Sequence, residues 1–382
     1  MRKNEARFES SRNKWQINVQ ADGERRSFVC AKKDHLKCRT TVCSARCTRG
    51  KIIAEKKADE WIENRTVNEN TRCRIMLDRY VERTKQATGK GHHRQTESFV
   101  RLYIEPCIGH VRCGALSQND CQGALDYAYS NPAKGEKLSK KTLMDIRACI
   151  MSFVKYCRGS NATKFHPETL TIPAGAKKSK KEILNIQDIV TLFTVDTTIF
   201  RGKRVVDRFI HLYRFRTVTG VRPGESIALK DSHISGTRIT IDESINIYNE
   251  LTHGKNDNAE RTYTLDEHAV KIREDQRRML MGLGQISPYV FPAENLDHAT
   301  QNQVYKAWKR YCKVNGIKAI SPYELRHTFV SVNTKMPDAL KRLVMGHSEN
   351  MDTQGIYGHE KADDMEDAAA YIKDAFKKIL GW

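Results

Sequence analysis

The sequence predicts a multidomain, mainly α-helical protein with small β elements, and three observations carry that expectation. Its 382 residues exceed what one ordinary hydrophobic core organises. Apolar–polar alternation marks a short stretch near the start, whereas helical spacing dominates from about 68 to 165. A small-residue stretch followed by four lysines, at 172–181, then separates two long patterned regions. These features divide the chain into residues 1–66, 67–170, a basic linker at 171–181, and 182–382.

In the first segment, Lys14-Trp15-Gln16-Ile17-Asn18-Val19 alternates, Ala21-Asp22-Gly23-Glu24 supplies a turn and Arg25-Arg26-Ser27-Phe28-Val29 returns, so a β-hairpin is expected. A helix over 53–63 follows, with Ala54, Ala58, Trp61 and Ile62 at helical spacing. Cys30, Cys38, Cys43 and Cys47 fall within 18 residues, with His35 among them. Thiolates so close together could hold a tetrahedral zinc ion. Their gaps lack the usual paired spacing, so unligated thiols are the default and no cofactor is expected.

From 67 to 170 the pattern is helical. Ile75, Leu77, Tyr80 and Val81 mark one helix, Phe99 to Ile104 a second and Cys121 to Tyr129 a third. A fourth starts after Ser139, a natural N-cap, with Ile146, Ile150, Phe153 and Val154 on its apolar face. Lys134, Lys137, Lys140 and Lys141 cluster at its start, and either phosphate contacts or a solvated basic loop explains them.

Sixty-six Lys and Arg against 46 acids give a net charge of +20, spread along the chain, which favours a polyanion partner and nucleic acid first. No apolar run reaches the roughly 20 residues of a membrane span, so no membrane is expected as a partner. The polar start, Met1-Arg2-Lys3-Asn4-Glu5, has no apolar signal region, and a cytoplasmic location is expected.

Residues 182–382 carry the chemistry. In order stand Thr219-Gly220-Val221-Arg222-Pro223-Gly224-Glu225, Gly254-Lys255, Tyr323-Glu324-Leu325-Arg326-His327, Gly346-His347-Ser348 and Ile356-Tyr357-Gly358-His359. Each string alone is weak evidence. Their order, and the ten-residue step from His347 to Tyr357, resemble the tyrosine recombinases, also called phage integrases.

The resemblance implies a DNA strand transferase that works without metal or ATP. Its architecture would be a small sheet-and-helix arm-binding domain, a helical core-binding domain and a mixed α/β catalytic domain. Arg222 and Arg326 would clamp the scissile phosphate, because two planar guanidinium forks match its non-bridging oxygens. Glu225 would steady them. Lys255, on a turn between strands at 238–241 and 261–265, would protonate the leaving 5′-oxygen. His347 would hydrogen-bond the phosphate and His327 would brace the local structure. Tyr357 would be the nucleophile, forming a 3′-phosphotyrosyl bond. One departure matters: Tyr323 stands where the family usually has histidine, and a tyrosine is a poor general base near neutral pH.

Met365, Ala369, Ile372, Phe376 and Ile379 form a narrow apolar stripe in the tail. It either packs on its own domain or, as the resemblance implies, acts as an exchange helix at about 364–380 that docks into a neighbour in a homo-tetramer on DNA. The partners implied are double-stranded DNA, both element ends and a target site, and a directionality factor. A bacterial host and association with the nucleoid follow. The rival readings are a type IB topoisomerase, an accessory DNA-binding protein on a degenerate recombinase scaffold and a zinc-dependent DNA-binding factor.

Overall fold

A computed structural model describes residues 4–21, 24–30, 34, 44–45, 47–65, 67–133, 135–178, 181–253, 260–346 and 362–382. The chain forms two compact units, Met1–Ser179 and Lys180–Trp382.

The first unit opens on an antiparallel sheet of β1 (Arg7–Glu9), β2 (Lys14–Ala21) and β3 (Glu24–Val29), in that spatial order. Alternation makes β2 two-faced: Ile17 and Val19 are buried, while Asn18 and Gln20 are exposed on the other side. The register sets Ile17 opposite Phe28 and Val19 opposite Arg26. Helix α1 (Thr48–Arg65) closes the apolar face, joining Ala54 and Ala58 to Ile17 and Val19 in one small core. The rings of Phe28 and Trp61 lie 5.7 Å apart. The expected hairpin and helix are both present, and β1 adds a third strand. Asp22, Gly23, His35, Cys38 and Cys43 lie outside the described residues; Cys30 is buried and Cys47 half-buried.

Five helices follow: α2 (Cys73–Ala87), α3 (Lys90–Phe99), α4 (Glu105–Ile108), α5 (Gln118–Ser130) and α6 (Lys140–Gly159). A π-helical turn, Val100–Ile104, joins α3 to α4, so the segment expected as one helix is continuous but locally widened. The expected Ser139 cap forms, and Ser117 supplies another. Ser117 and Asp120 make a reciprocal capping box on α5, and the Ser139 side chain accepts the Thr142 amide at the start of α6. Ile146, Ile150, Phe153 and Val154 of α6 are buried with Met76, Leu77 and Tyr80 of α2 in a shared core. Cys73, Cys113, Cys121, Cys149 and Cys157 serve that core as small apolar side chains.

The second unit runs α7 (Ile186–Thr194), the hairpin β4 (Thr197–Phe200) and β5 (Lys203–Val206), α8 (Ile210–Thr219), α9 (Pro223–Ala228), β6 (Ile234–Ser235), β7 (Arg238–Ile241), β8 (Glu243–Ile245), β9 (Leu251–His253) and β10 (Arg261–Thr264). Helices α10 (Glu267–Gly282), α11 (Gln301–Asn315), α12 (Glu324–Val332), α13 (Asp338–Met345) and α14 (Ala362–Leu380) complete it. Every residue of α8 is buried, so this helix is the axis of the core. Two of its arginines find partners there: Arg214 Nε donates to the Leu192 carbonyl at 2.8 Å and Arg216 Nε to Ser226 Oγ at 2.6 Å.

Strand β7 lies between β6 and β10, all antiparallel, with Ile239 opposite Tyr263. The two stretches expected to bracket Lys255 therefore pair directly, and the chain between them makes a second hairpin, β8 with β9. In α14, Met365, Ala368, Ile372 and Phe376 enter the core of their own unit. Ala368, rather than Ala369, occupies the second buried position, and this docking on its own domain is the first of the two tail readings.

Candidate active site

The site begins where α8 must stop. Gly220 ends the helix with φ +65°, and a Cβ there would lie 2.6 Å from Cδ1 of Phe329. Only glycine fits both the left-handed conformation and the close approach of α12. Two residues later Arg222 takes the N-cap position of α9, with Pro223 at the first helical position.

The Glu225 carboxylate, on the same short helix, accepts the Arg222 backbone N–H at 2.8 Å and Arg222 Nη1 at 2.6 Å. Its second partner comes from β10. Arg261 Nη1 and Nη2 donate to the two oxygens of Glu225 at 3.2 and 2.8 Å, a fork-on-carboxylate pair in a buried setting. Burial pushes the Glu225 carboxyl up, but the Arg261 hydrogen bonds and the charges of Arg261 and Arg222 outweigh it and bring it down to about 2. Glu225 is thus a fixed negative charge across the neutral range.

Arg326 reaches the same place from α12. It is 1% exposed, its Nη1 donates to the Gly220 carbonyl at 2.8 Å and its Nη2 to the Met345 carbonyl at 2.7 Å. Burial and then the Arg222 charge pull its pKa downward, the sign of cations crowded together with little water.

Three arginines converge on the end of α13. The carbonyls of Val344, Met345 and Gly346 accept, in order, from Arg261 Nε at 2.8 Å, Arg326 Nη2 at 2.7 Å and Arg222 Nη2 at 2.9 Å. A helix C-terminus exposes unpaired carbonyls and the negative end of the helix dipole, so guanidinium groups are its natural partners. Gly346, with φ +62°, turns the chain out of the helix immediately before His347. Three guanidinium groups and one carboxylate give this cluster a surplus of positive charge. Such a surplus is the electrostatic condition for holding an anion.

Tyr323 stands at the N-terminus of α12, is 46% exposed and meets His327 edge-on at 5.5 Å between ring centres. Burial and the nearby Lys181 charge lower the His327 pKa, which favours the neutral imidazole. Glu324 fixes the segment from below, accepting the backbone amides of Glu182 at 2.9 Å and Ser321 at 2.6 Å.

Of the six expected site residues, Arg222 and Arg326 come together directly and Tyr323 sits one helical turn from Arg326. Lys255, His347 and Tyr357 lie in 254–259 and 347–361, outside the described residues. Arg261 is a member of the cluster that the motif reading did not single out. The signal was present: Arg261 is in phase with Tyr263 on the inward face of an alternating strand, an unusual place for a lone cation. Among the described residues, no group of three or more His, Cys, Asp or Glu side chains is arranged to hold a metal.

Residues 184–363 match the phage integrase family. The fold resembles the integrase of transposon Tn1549 in complex with transposon right-end DNA, with a TM-score of 0.60 and 16% identity over 81% of this chain and 100% of that one. A second structure of that integrase, in complex with a circular intermediate DNA, gives 0.61 and 16% over 78% of this chain and 98% of that one. A lambda integrase tetramer bound to a Holliday junction gives 0.55 and 11% over 92% of this chain and 98% of that one. No curated protein sequence matches the chain. Residues 184–363 thus carry a phage integrase domain, and the chain shares its fold with solved integrases over about four fifths of its length.

Proposed function

We propose that the chain is a site-specific DNA recombinase, an integrase that cuts and rejoins strands to move a mobile element into and out of DNA. The observation that carries this reading is the convergence of Arg222 and Arg326 beside a carboxylate locked by Arg261, directly before the segment that holds His347 and Tyr357. Solved integrases of the same fold are in complex with element-end DNA, core-site DNA and a Holliday junction.

In the proposed reaction the Tyr357 hydroxyl oxygen attacks the scissile phosphorus, and the bond from phosphorus to the 5′-oxygen breaks. Arg222 and Arg326 neutralise the charge that grows on the non-bridging oxygens. Lys255 gives the leaving 5′-oxygen its proton. His347 holds the phosphate and shares with Tyr323 the duty of taking the phenolic proton. The 3′-phosphotyrosyl bond keeps the bond energy, so an incoming 5′-hydroxyl reverses the step without ATP or metal. A homo-tetramer on paired DNA sites, a directionality factor and a cytoplasmic, nucleoid-associated setting complete the reading.

The test incubates the full chain, beside Tyr357→Phe, with nicked suicide duplexes carrying candidate element ends, in EDTA and without ATP. The expected result is a denaturant-resistant protein–DNA adduct at the 3′-phosphate that disappears in the variant. Tight, specific binding with no adduct would instead favour an accessory DNA-binding role, the reading that the Tyr323 departure supports. Relaxation of supercoiled DNA lacking a site pair would favour the topoisomerase.

A further inference from the structure

Arg261 spends all three nitrogens of its guanidinium inside the protein, two on Glu225 and one on the Val344 carbonyl. It is itself buried, on a strand whose opposite neighbour is Ile241. It therefore ties three elements, β10, α9 and α13, at the point where the other two arginines meet. Arg222 depends on it indirectly, because the carboxylate that holds both its backbone N–H and its Nη1 is the carboxylate Arg261 clasps.

We propose that Arg261 is a positioning residue for strand cleavage: its fork fixes Glu225, and through it Arg222, while its Nε fixes the end of α13 from which the chain enters the segment of His347 and Tyr357. The proposal rests on the recombinase reading. It assigns Arg261 no contact with DNA.

The surroundings of Glu225 decide what removing Arg261 does. The charged and titratable groups facing the carboxylate are Arg222 on its own helix, Arg261 and Tyr263 from β10, and Arg326 from α12. From the other elements packed on α9, Arg216 of α8 is spent on Ser226 and the Pro223 carbonyl, and Glu243 of β8 is paired with Lys230. Burial is the largest influence on Glu225 and it favours the neutral acid; the Arg261 fork is the largest influence opposing it. Without the fork, Glu225 takes up a proton at a higher pH, and a protonated Glu225 holds Arg222 through fewer and weaker bonds.

The experiment compares wild type, Arg261→Met and Arg261→Lys as full-length chains. Adduct formation on the suicide duplex, DNA affinity and thermal melting are each followed from pH 5 to pH 8.5. The expected result for Arg261→Met is near-wild-type affinity, cleavage slowed roughly 10- to 100-fold, as for a displaced catalytic group, and an acid limb in the cleavage profile that wild type lacks. Arg261→Lys, which keeps the charge and loses the fork, should recover part of the rate and move the limb back.

A folded Arg261→Met chain with the wild-type rate and pH profile would overturn the proposal. So would a rate loss that simply follows melting and vanishes on cooling with no change in profile. If Arg261→Met does not fold, Arg261→Lys carries the same comparison. If wild type forms no adduct at any pH, the recombinase reading fails, and the melting series still judges the clasp. Relative to wild type, Arg261→Met should then gain stability from pH 8 to pH 5, because a buried acid with a raised pKa favours the folded state at low pH. Parallel melting curves would remove the clasp as well.

Discussion

The side chain that is absent at Gly220 shows how little room the site leaves. Its φ of +65° costs an L-residue more than about 1 kcal/mol, and a methyl group would press into the Phe329 ring at 2.6 Å. Because Arg222 follows two residues later and Arg326 donates to the Gly220 carbonyl, the strain falls on both arginines together. Gly220→Ala should lower the melting temperature and reduce adduct formation beyond what the lost stability explains, checked by assaying well below the new melting point. Adduct formation in proportion to the folded fraction would show that the turn matters only for stability. Gly220, Arg222, Glu225 and Arg326 were legible in the sequence because each sits in a short motif with its own local geometry. Arg261 was not, since its partners Glu225 and Val344 lie 36 and 83 residues away and nothing adjacent to it announces them.

Short-range signals also predicted the N-terminal hairpin, most helices of the first unit and the tail helix, and they failed where tertiary contacts decide. Ser139 caps its helix as expected, because capping needs only the next three residues. Strands β1 and β8 escaped notice because each is three residues long and pairs only within a larger context. The tail is the instructive case. Its stripe gave the right helix, but the choice of Ala368 over Ala369 depends on which neighbour faces it, here the core of its own unit. Phe376 is fully buried and 6.3 Å from the Phe193 ring, and the Trp382 carbonyl accepts His268 Nε2 at 2.8 Å. Phe376→Ala should therefore cost about 3–5 kcal/mol in the unfolding of the DNA-free protein, measured by urea denaturation. A loss under about 1 kcal/mol would mean that α14 is not docked on its own domain in solution and is available to a neighbour instead.

For the whole molecule the governing quantity is charge. An excess of 20 positive charges does nothing for the packing of either unit; its consequence is long-range attraction to a polyanion. Each phosphate that the protein neutralises releases condensed counterions, so log affinity falls against log salt with a slope of about −0.9 per contact. Lysines that only decorate a solvated surface leave that slope alone, which separates the two readings of the basic stretches. Lys140, Lys141, Lys177 and Lys178 are exposed, and the Ser139–Thr142 cap places the first pair at the head of α6 while Lys140 N–H bonds the Lys177 carbonyl. If these lysines lie along the DNA backbone, affinity should drop about 10³-fold or more between 50 and 200 mM salt, as for six or more phosphate contacts. Replacing Lys140 and Lys141 by alanine should then flatten the slope by about two, with Lys177→Ala and Lys178→Ala adding a similar change. Titration of a labelled duplex across a salt series reads both numbers. Unchanged slopes in these variants would mark the lysines as surface solubility groups and move the phosphate contacts to the arginine-bearing unit.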